Sequence, residues 1–461
     1  MLKFHVTHRM VRRTSSTTET VEPLEKTMAT HVIEEDLGEH IAEIRLVDTH
    51  EHMGKEEYWL NDASADILCD TFENYVIADF VSAGCSDFEA VLRDSDASLA
   101  ERWAKIEPAW QNIRLTGYGE AVSDIFRAIY DHDEIDLATL ENAQARMPDL
   151  KKAGERYRLL HEVAHLDHIQ TDDFCWPCLP DASGPEFFLY DLGWSSICNG
   201  NPHLRAMTDE TGVQVKDLAS YGEAMQGLFA KYGPCAIAVK SQHAYSRTLD
   251  WQAREDSDAE AVLQKLMREE PITVEETLCL GDWGWARGVE LAGKHNLPFK
   301  IHTGYYAGNG GMPMSRIPSR NLCDLVIAYP ETRFVLMHIS YPYSDELIAM
   351  TKHFPNVYAD LCWAWSINPL HSMDFVRRFI HAAPVNKLFA FGGDTFRPTS
   401  AVGYAVQTRR WLTRALAAEV SDGYLSMSQA KQVASKIMHD NQYECFDIES
   451  TRSAIALAGE L

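Results

Sequence analysis

The sequence predicts a closed barrel of eight parallel strands alternating with helices. Three observations predict it. Eight short apolar or β-branched runs punctuate residues 44–395. Helical stretches separate them, and near-continuous apolar strands joined by helices imply a parallel sheet covered on both faces. An open doubly wound sheet usually carries a glycine-rich phosphate turn after its first strand, and that place holds Asp48-Thr49-His50-Glu51-His52 instead.

The runs follow in order. "IRLVDTH" (44–50) is the first, and "HIQTDDF" (168–174) and "FFLYDLG" (187–193) are weaker ones. "CAIAVKS" (235–241), "PFKIHTG" (298–304), "RFVLMHIS" (333–340), "NVYADLCW" (356–363) and "KLFAFGGDT" (387–395) complete the eight. Residues 273–296 and 344–355 have the pattern of the intervening helices. More than 100 residues, 53–165, separate the first two runs. A loop that long without structure is foreign to a compact domain. Stretches such as "ENYVIADFVSAG" and "LAERWAKIEPAWQNI" mark it as a helical insertion capping the barrel mouth.

The chain of 461 residues, 46% hydrophobic, can bury a large core. Residues 1–40 are expected to form a disordered tail, with the barrel domain over 41–461. The first acid is Glu19, after Lys3, Arg9, Arg12 and Arg13, so organelle import is a minor alternative to cytoplasmic placement. Ten scattered cysteines read as reduced intracellular thiols, and Cys175-Trp176-Pro177-Cys178 as two incidental loop thiols. A net charge of −26 argues against a nucleic-acid partner. No apolar run approaches the ~20 residues that cross a bilayer. The partner expected is a small molecule, with homo-oligomers an open option.

Chemistry is expected at the carboxyl ends of the strands, where such barrels carry their active sites. The first run ends at His50 and His52, which share one side of a strand. Lys240 ends the fourth, His302 the fifth, His338 the sixth and Asp394 the eighth. Each polar group follows apolar residues, and a buried polar group must be paired or must bind something. Imidazole and carboxylate suit Zn²⁺, Mn²⁺ or Fe²⁺ and leave a position for water. Arg316 and Arg320 after the fifth strand, and Arg247 after the fourth, are candidate grips for a substrate carboxylate. Trp363 and Trp365 are candidate walls, and Tyr341 and Arg397 second-tier candidates.

A rival metal motif is His161-Glu162-Val163-Ala164-His165, the H-E-x-x-H pattern of zinc proteases. Its helix runs directly into the second strand and so ends at the barrel's opposite face, with Arg158 one turn before His161. The pattern is read as incidental.

Through "VDTHEH", "KIHTG", "LMHIS" and "GGDT", residues 44 to about 400 resemble the amidohydrolase superfamily. The resemblance implies that His50, His52 and His302 are metal ligands and that His338 contacts substrate. It implies that Asp394 binds the metal or its water and shuttles a proton. Lys240 stands where some members carry a carboxylated lysine bridging two ions. One ion, preferably zinc, is expected, and two if Lys240 is carboxylated. "FPNVYADLCW" and "HISYPYSDELIAMTKHFP" resemble the subgroup with decarboxylases and glutamine-synthetase-associated hydrolases. The insertion is similar to that of uronate isomerases, but Asn74-Tyr75-Val76-Ile77-Ala78 replaces their His-Tyr-x-x-Arg segment. The expected activity is metal-dependent hydrolysis, preferably of a C–N bond in a carboxylated substrate. Asp394 would serve as base and then acid, and the metal, His338 and Lys240 would steady the oxyanion. Decarboxylation and sugar-acid isomerisation are the alternatives.

Overall fold

In the computed structural model, which describes residues 21–61 and 66–459, eight strands form one parallel sheet in chain order. They are β1 (Leu46–Glu51), β2 (Leu166–Thr171), β3 (Phe188–Gly193), β4 (Ala236–Ser241), β5 (Phe299–His302), β6 (Phe334–Met337), β7 (Val357–Asp360) and β8 (Leu388–Phe389). All eight expected runs are strands. β8 is short because the chain turns irregular at Gly392-Gly393, and it is this irregular segment that closes the barrel. Thr49 N–H donates to the Phe391 carbonyl at 3.1 Å, Asp394 N–H to His50 at 2.9 Å, and His52 N–H to Thr395 at 3.0 Å. A Cβ on Gly393 would fall 2.0 Å from Glu51 Oε1, so only glycine lets the two ends meet.

The first helix corrects the expected tail. Residues Val21–Glu43 form helix α1, with Leu37 and Ile41 buried, and residues 1–20 lie outside the described part. A basic, Ser/Thr-rich start hid the apolar spacing that follows it.

Residues 53–165 are helical as expected, with α2 (Leu99–Ile113), α3 (Gly117–Ile125) and α4 (Leu137–Leu150) the longest of the insertion. Ser98 and Glu101 close a reciprocal cap at the start of α2, and Asp136 and Thr139 do so at α4. Phe72, Phe80, Phe88, Trp103 and Trp110 give the insertion its own aromatic core. α5 (Val274–Lys294) is the crossover before β5, and α6 (Pro398–Ser421) follows β8. α3 lies against α6, where Arg410 pairs with Glu120 at 2.8 Å and Asp124 at 2.5 Å.

At the other end, α7 (Ile448–Gly459) and the residues before it close the barrel floor. Phe446, Ile448 and Ile455 cluster with Leu189, Ile237, Val335 and Phe389, each the second residue of its strand except for the C-terminal three. No helix among the described residues is long and apolar enough to cross a membrane.

Candidate active site

Strand alternation sets the site. Asp48, His50 and His52 project to the same side of β1, and Lys300 and His302 to the same side of β5. Lys300 lies one layer below the mouth, fully buried. Its ammonium donates to both Asp191 oxygens at 2.8 and 2.9 Å and to the Thr49 carbonyl at 2.8 Å, which uses all three of its protons. Burial pushes the Asp191 carboxyl up to about 6 against the pull of Lys300.

His50 Nε2, His52 Nε2 and Asp394 Oδ1 form a tight triangle. The imidazole nitrogens are 3.3 Å apart, and each is 3.2 Å from the carboxylate oxygen. Their partners fix the tautomers. His52 Nδ1 faces the Asp172 carbonyl at 2.8 Å, so it carries the proton and Nε2 a lone pair. Lys240 Nζ donates to His50 Nε2 at 2.9 Å, which makes that atom an acceptor too. His50 Nδ1 looks toward Asp191 Oδ2 at 3.9 Å. Three buried acceptors turned on one point, with carbonyl and carboxylate partners behind the rings, fit a divalent cation. Burial first, then Lys240 and His52, hold His50 well below the usual imidazole range, which keeps it a neutral ligand. Burial works against ionisation of Asp394, but His50 and His52 outweigh it and hold its carboxyl well below the usual carboxylate range.

His338 sits 3.9 Å from Asp394 Oδ2 through Nε2, while its Nδ1 donates to the Cys362 carbonyl at 2.9 Å. Burial pushes its imidazole down to about 4. Burial therefore works against the doubly protonated ring that would donate to an oxyanion through Nε2. His302 ends β5 as predicted, but its Nε2 turns to the Tyr305 carbonyl at 3.0 Å. It stands outside the compact ligand set of His50, His52 and Asp394.

His338, Trp363 and Asp394 all adopt left-handed backbone, at φ 62°, 59° and 55°. Such conformations cost of order 1–3 kcal/mol each and persist where the surroundings impose them, often at functional sites. Trp363 packs edge-on against His338 at 5.4 Å, and Tyr75 from the insertion lies 4.4 Å from Trp363. Tyr245 lies 4.7 Å from His302. Exposed Phe174 and Phe396 stack on the two sides of His52, at 4.6 and 5.3 Å. Beside His52 opens a cavity of about 480 Å³, lined by Lys55, Trp59, Glu73, Arg156, Phe396 and Arg397 among others.

Two of the three expected arginine grips are engaged in ion pairs. Arg247 is buried in an ion pair with Asp282 at 2.5 Å and donates to the Cys198 carbonyl. Arg320 is exposed and pairs with Glu346. Arg316 is half-buried in the loop after β5. Trp365 is core, its indole N–H on the Ala390 carbonyl at 2.8 Å. Arg397 pairs with Glu73. His161 of the H-E-x-x-H stretch stacks on Tyr157, and His165 bonds the Ala42 carbonyl, so the motif holds no metal group among the described residues.

Glu51, Asp48, Asp191, Lys300, Tyr75 and Cys362 escaped the sequence reading. The same alternation that placed His50 could have found Asp48, and that of His302 could have found Lys300. Asp48 Oδ1 accepts from the His50 and Gly393 amides, and Glu51 Oε2 accepts from Thr395 N–H at 2.6 Å.

Residues 249–448 match the amidohydrolase family. The chain is 26% identical over 280 residues to Protein fluG of Emericella nidulans, covering 57% of this chain and 32% of that protein, so it spans about a third of that relative's length. Its fold is similar to a uronate isomerase from Thermotoga maritima (TM-score 0.75, 15% identity, 91% of this chain and 97% of that one). It is also similar to a glucuronate isomerase from Caulobacter crescentus (TM-score 0.72, 16% identity, 91% and 95%). A protein from Lactobacillus casei described as a metal-dependent hydrolase aligns at TM-score 0.62 (16% identity, 90% and 98%).

Proposed function

We propose that this member of the amidohydrolase superfamily is a metal-dependent hydrolase that cleaves a C–N bond in a small polar substrate. The observation that carries the reading is the triangle of His50, His52 and Asp394, with both imidazole nitrogens 3.2 Å from one carboxylate oxygen. A divalent cation, preferably zinc, lowers the pKa of water toward ~7 and so makes hydroxide available at neutral pH. His50 and His52 would hold the ion as neutral ligands. Asp394 accepts the proton of the attacking water and delivers it to the departing amine. Lys240, which lies 2.9 Å from His50 Nε2, would be the cation beside the substrate carbonyl once His50 held an ion. Trp363, Tyr75 and Tyr245 wall the site and exclude water.

The same centre would serve decarboxylation or sugar-acid isomerisation, and the whole-length fold similarity to uronate isomerases supports keeping the latter in view. Against it, Arg247 and Arg320 are held in ion pairs with Asp282 and Glu346. A carboxylated substrate is therefore left with Lys240 and the half-buried Arg316 as candidate grips.

The test is metal analysis of the purified protein joined to a panel of N-acyl amides, aromatic carboxylates and uronates. Release of ammonia or an amine is expected. Release of CO₂, or interconversion of the uronates with no amine released, would replace the hydrolase reading.

A further inference from the structure

A second group of potential ligands lies beside the first. A ring nitrogen of His338, Sγ of Cys362 and a carboxylate oxygen of Asp394 lie within 4.8 Å of one another, all three residues buried. His338 Nε2 is fully buried and has no hydrogen-bond partner. The Cys362 carbonyl takes the Nδ1 proton, which leaves Nε2 to face Asp394 Oδ2, 3.9 Å away. A ring nitrogen without a partner and a carboxylate oxygen that face each other away from water call for something positive between them, a proton or a cation. Asp394 divides its oxygens accordingly. Oδ1 meets His50 and His52, and Oδ2 meets His338.

Cys362 is held in place for this role. Its amide donates to Asp360 Oδ1 at 2.9 Å and its carbonyl receives His338. Gly392 leaves room for the sulfur, since a Cβ there would fall 2.7 Å from Sγ.

We propose a second cation position, formed by His338 Nε2, Cys362 Sγ and Asp394 Oδ2, with the Asp394 carboxylate bridging it to the His50–His52 position. One imidazole, one thiolate and one carboxylate suit Zn²⁺ or Co²⁺ and leave a fourth place open. On binding, the Cys362 thiol gives its proton to solvent and the thiolate sulfur bonds the ion, so one proton is released and no electron moves. This position requires no carboxylated lysine. It rests on the His50–His52 centre proposed above, and because it engages Asp394 Oδ2 its filling competes with the proton transfer assigned to that carboxylate.

The experiment is titration of the metal-free full-length protein with Co²⁺, followed by absorbance and metal analysis. The wild type should take up about two ions per chain and show a thiolate-to-cobalt charge-transfer band in the near ultraviolet. Cys362→Ser should lose the band and keep about one ion. His52→Ala should keep the band while losing the first position. If Cys362→Ser fails to fold by circular dichroism, His338→Gln serves in its place and should also lose the band. Uptake of about one ion with no thiolate band would overturn this proposal and leave the first centre standing. No uptake at all would overturn both. A band that persists in Cys362→Ser or His338→Gln would assign the thiolate elsewhere and overturn it as well, and a proton between His338 and Asp394 would then account for their approach.

Discussion

In the proposed reaction Asp394 would hold an ion and take a proton, and in the fold it closes the barrel through its amide on the His50 carbonyl. Asp394→Asn keeps the size and the amide but removes the base. It should lower kcat by about 10²–10⁴-fold while circular dichroism and the melting temperature change little, and a variant with near-normal turnover would remove Asp394 from the chemistry. Below it lie carboxyls that pay a cost for their burial. Desolvation pushes Asp48 and Asp360 up to about 7, and Glu51 well above the usual carboxylate range. Each group's folded value exceeds its unfolded one, so the folded state holds protons that the unfolded state has lost. Their contribution is therefore greatest below the ordinary carboxylate range and fades as pH rises through about 7. The buried imidazoles His50 and His338, held low, act in the opposite sense, so the carboxyl contribution is read by difference: relative to the wild type, metal-free Asp360→Asn should gain melting temperature at about pH 8 compared with about pH 5. Melting curves across the range, with and without added Zn²⁺, check this; a slope unchanged in Asp360→Asn would place the titration elsewhere.

At the scale of elements, the insertion is anchored on the barrel's last long helix, and one glycine makes the approach close enough. A Cβ on Gly403 of α6 would fall 2.5 Å from the Ala121 carbonyl and 2.6 Å from Ile125 Cγ1, both on α3. Gly403→Ala must push α3 outward and should cost on the order of 1–3 kcal/mol as an overpacking change. Limited proteolysis should then cut first within residues 53–165, and an unchanged cleavage pattern and urea midpoint would argue against the anchor. The same scale explains what the sequence made legible. Strand ends could be read because His50, His302, His338 and Asp394 each break an apolar run. Ion pairs could not, because Asp282 and Glu346, which occupy Arg247 and Arg320, lie 35 and 26 residues away on other elements. Cys362 reads as one more apolar residue at the end of β7, and only the fold brings it to His338. The helix at Val21–Glu43 was missed behind its basic leader.

Across the whole molecule, the barrel separates chemistry at one end from closure at the other. The strand ends that carry the candidate ligands face the insertion, whereas the strand starts are covered by the C-terminal segment. Phe446 is the centre of that cover: it packs near Phe389, with ring centroids 5.6 Å apart, and lies 5.3 Å from the Lys300 ammonium. Lys300 in turn holds Asp191, which faces His50 Nδ1. Two outcomes follow from this connection, and they can be told apart. If the floor acts only through packing, Phe446→Ala should cost about 3–5 kcal/mol in urea unfolding and leave Co²⁺ uptake at the His50–His52 position as in the wild type. If the floor also sets the Lys300–Asp191–His50 line, the variant should bind Co²⁺ more weakly as well. The fully satisfied ammonium of Lys300, with all three protons on Asp191 and Thr49, argues that this line is held from above and not by Phe446. Loss of stability with unchanged metal affinity is therefore the expected result, and weakened Co²⁺ binding in a folded Phe446→Ala protein would show that the two ends of the barrel are coupled.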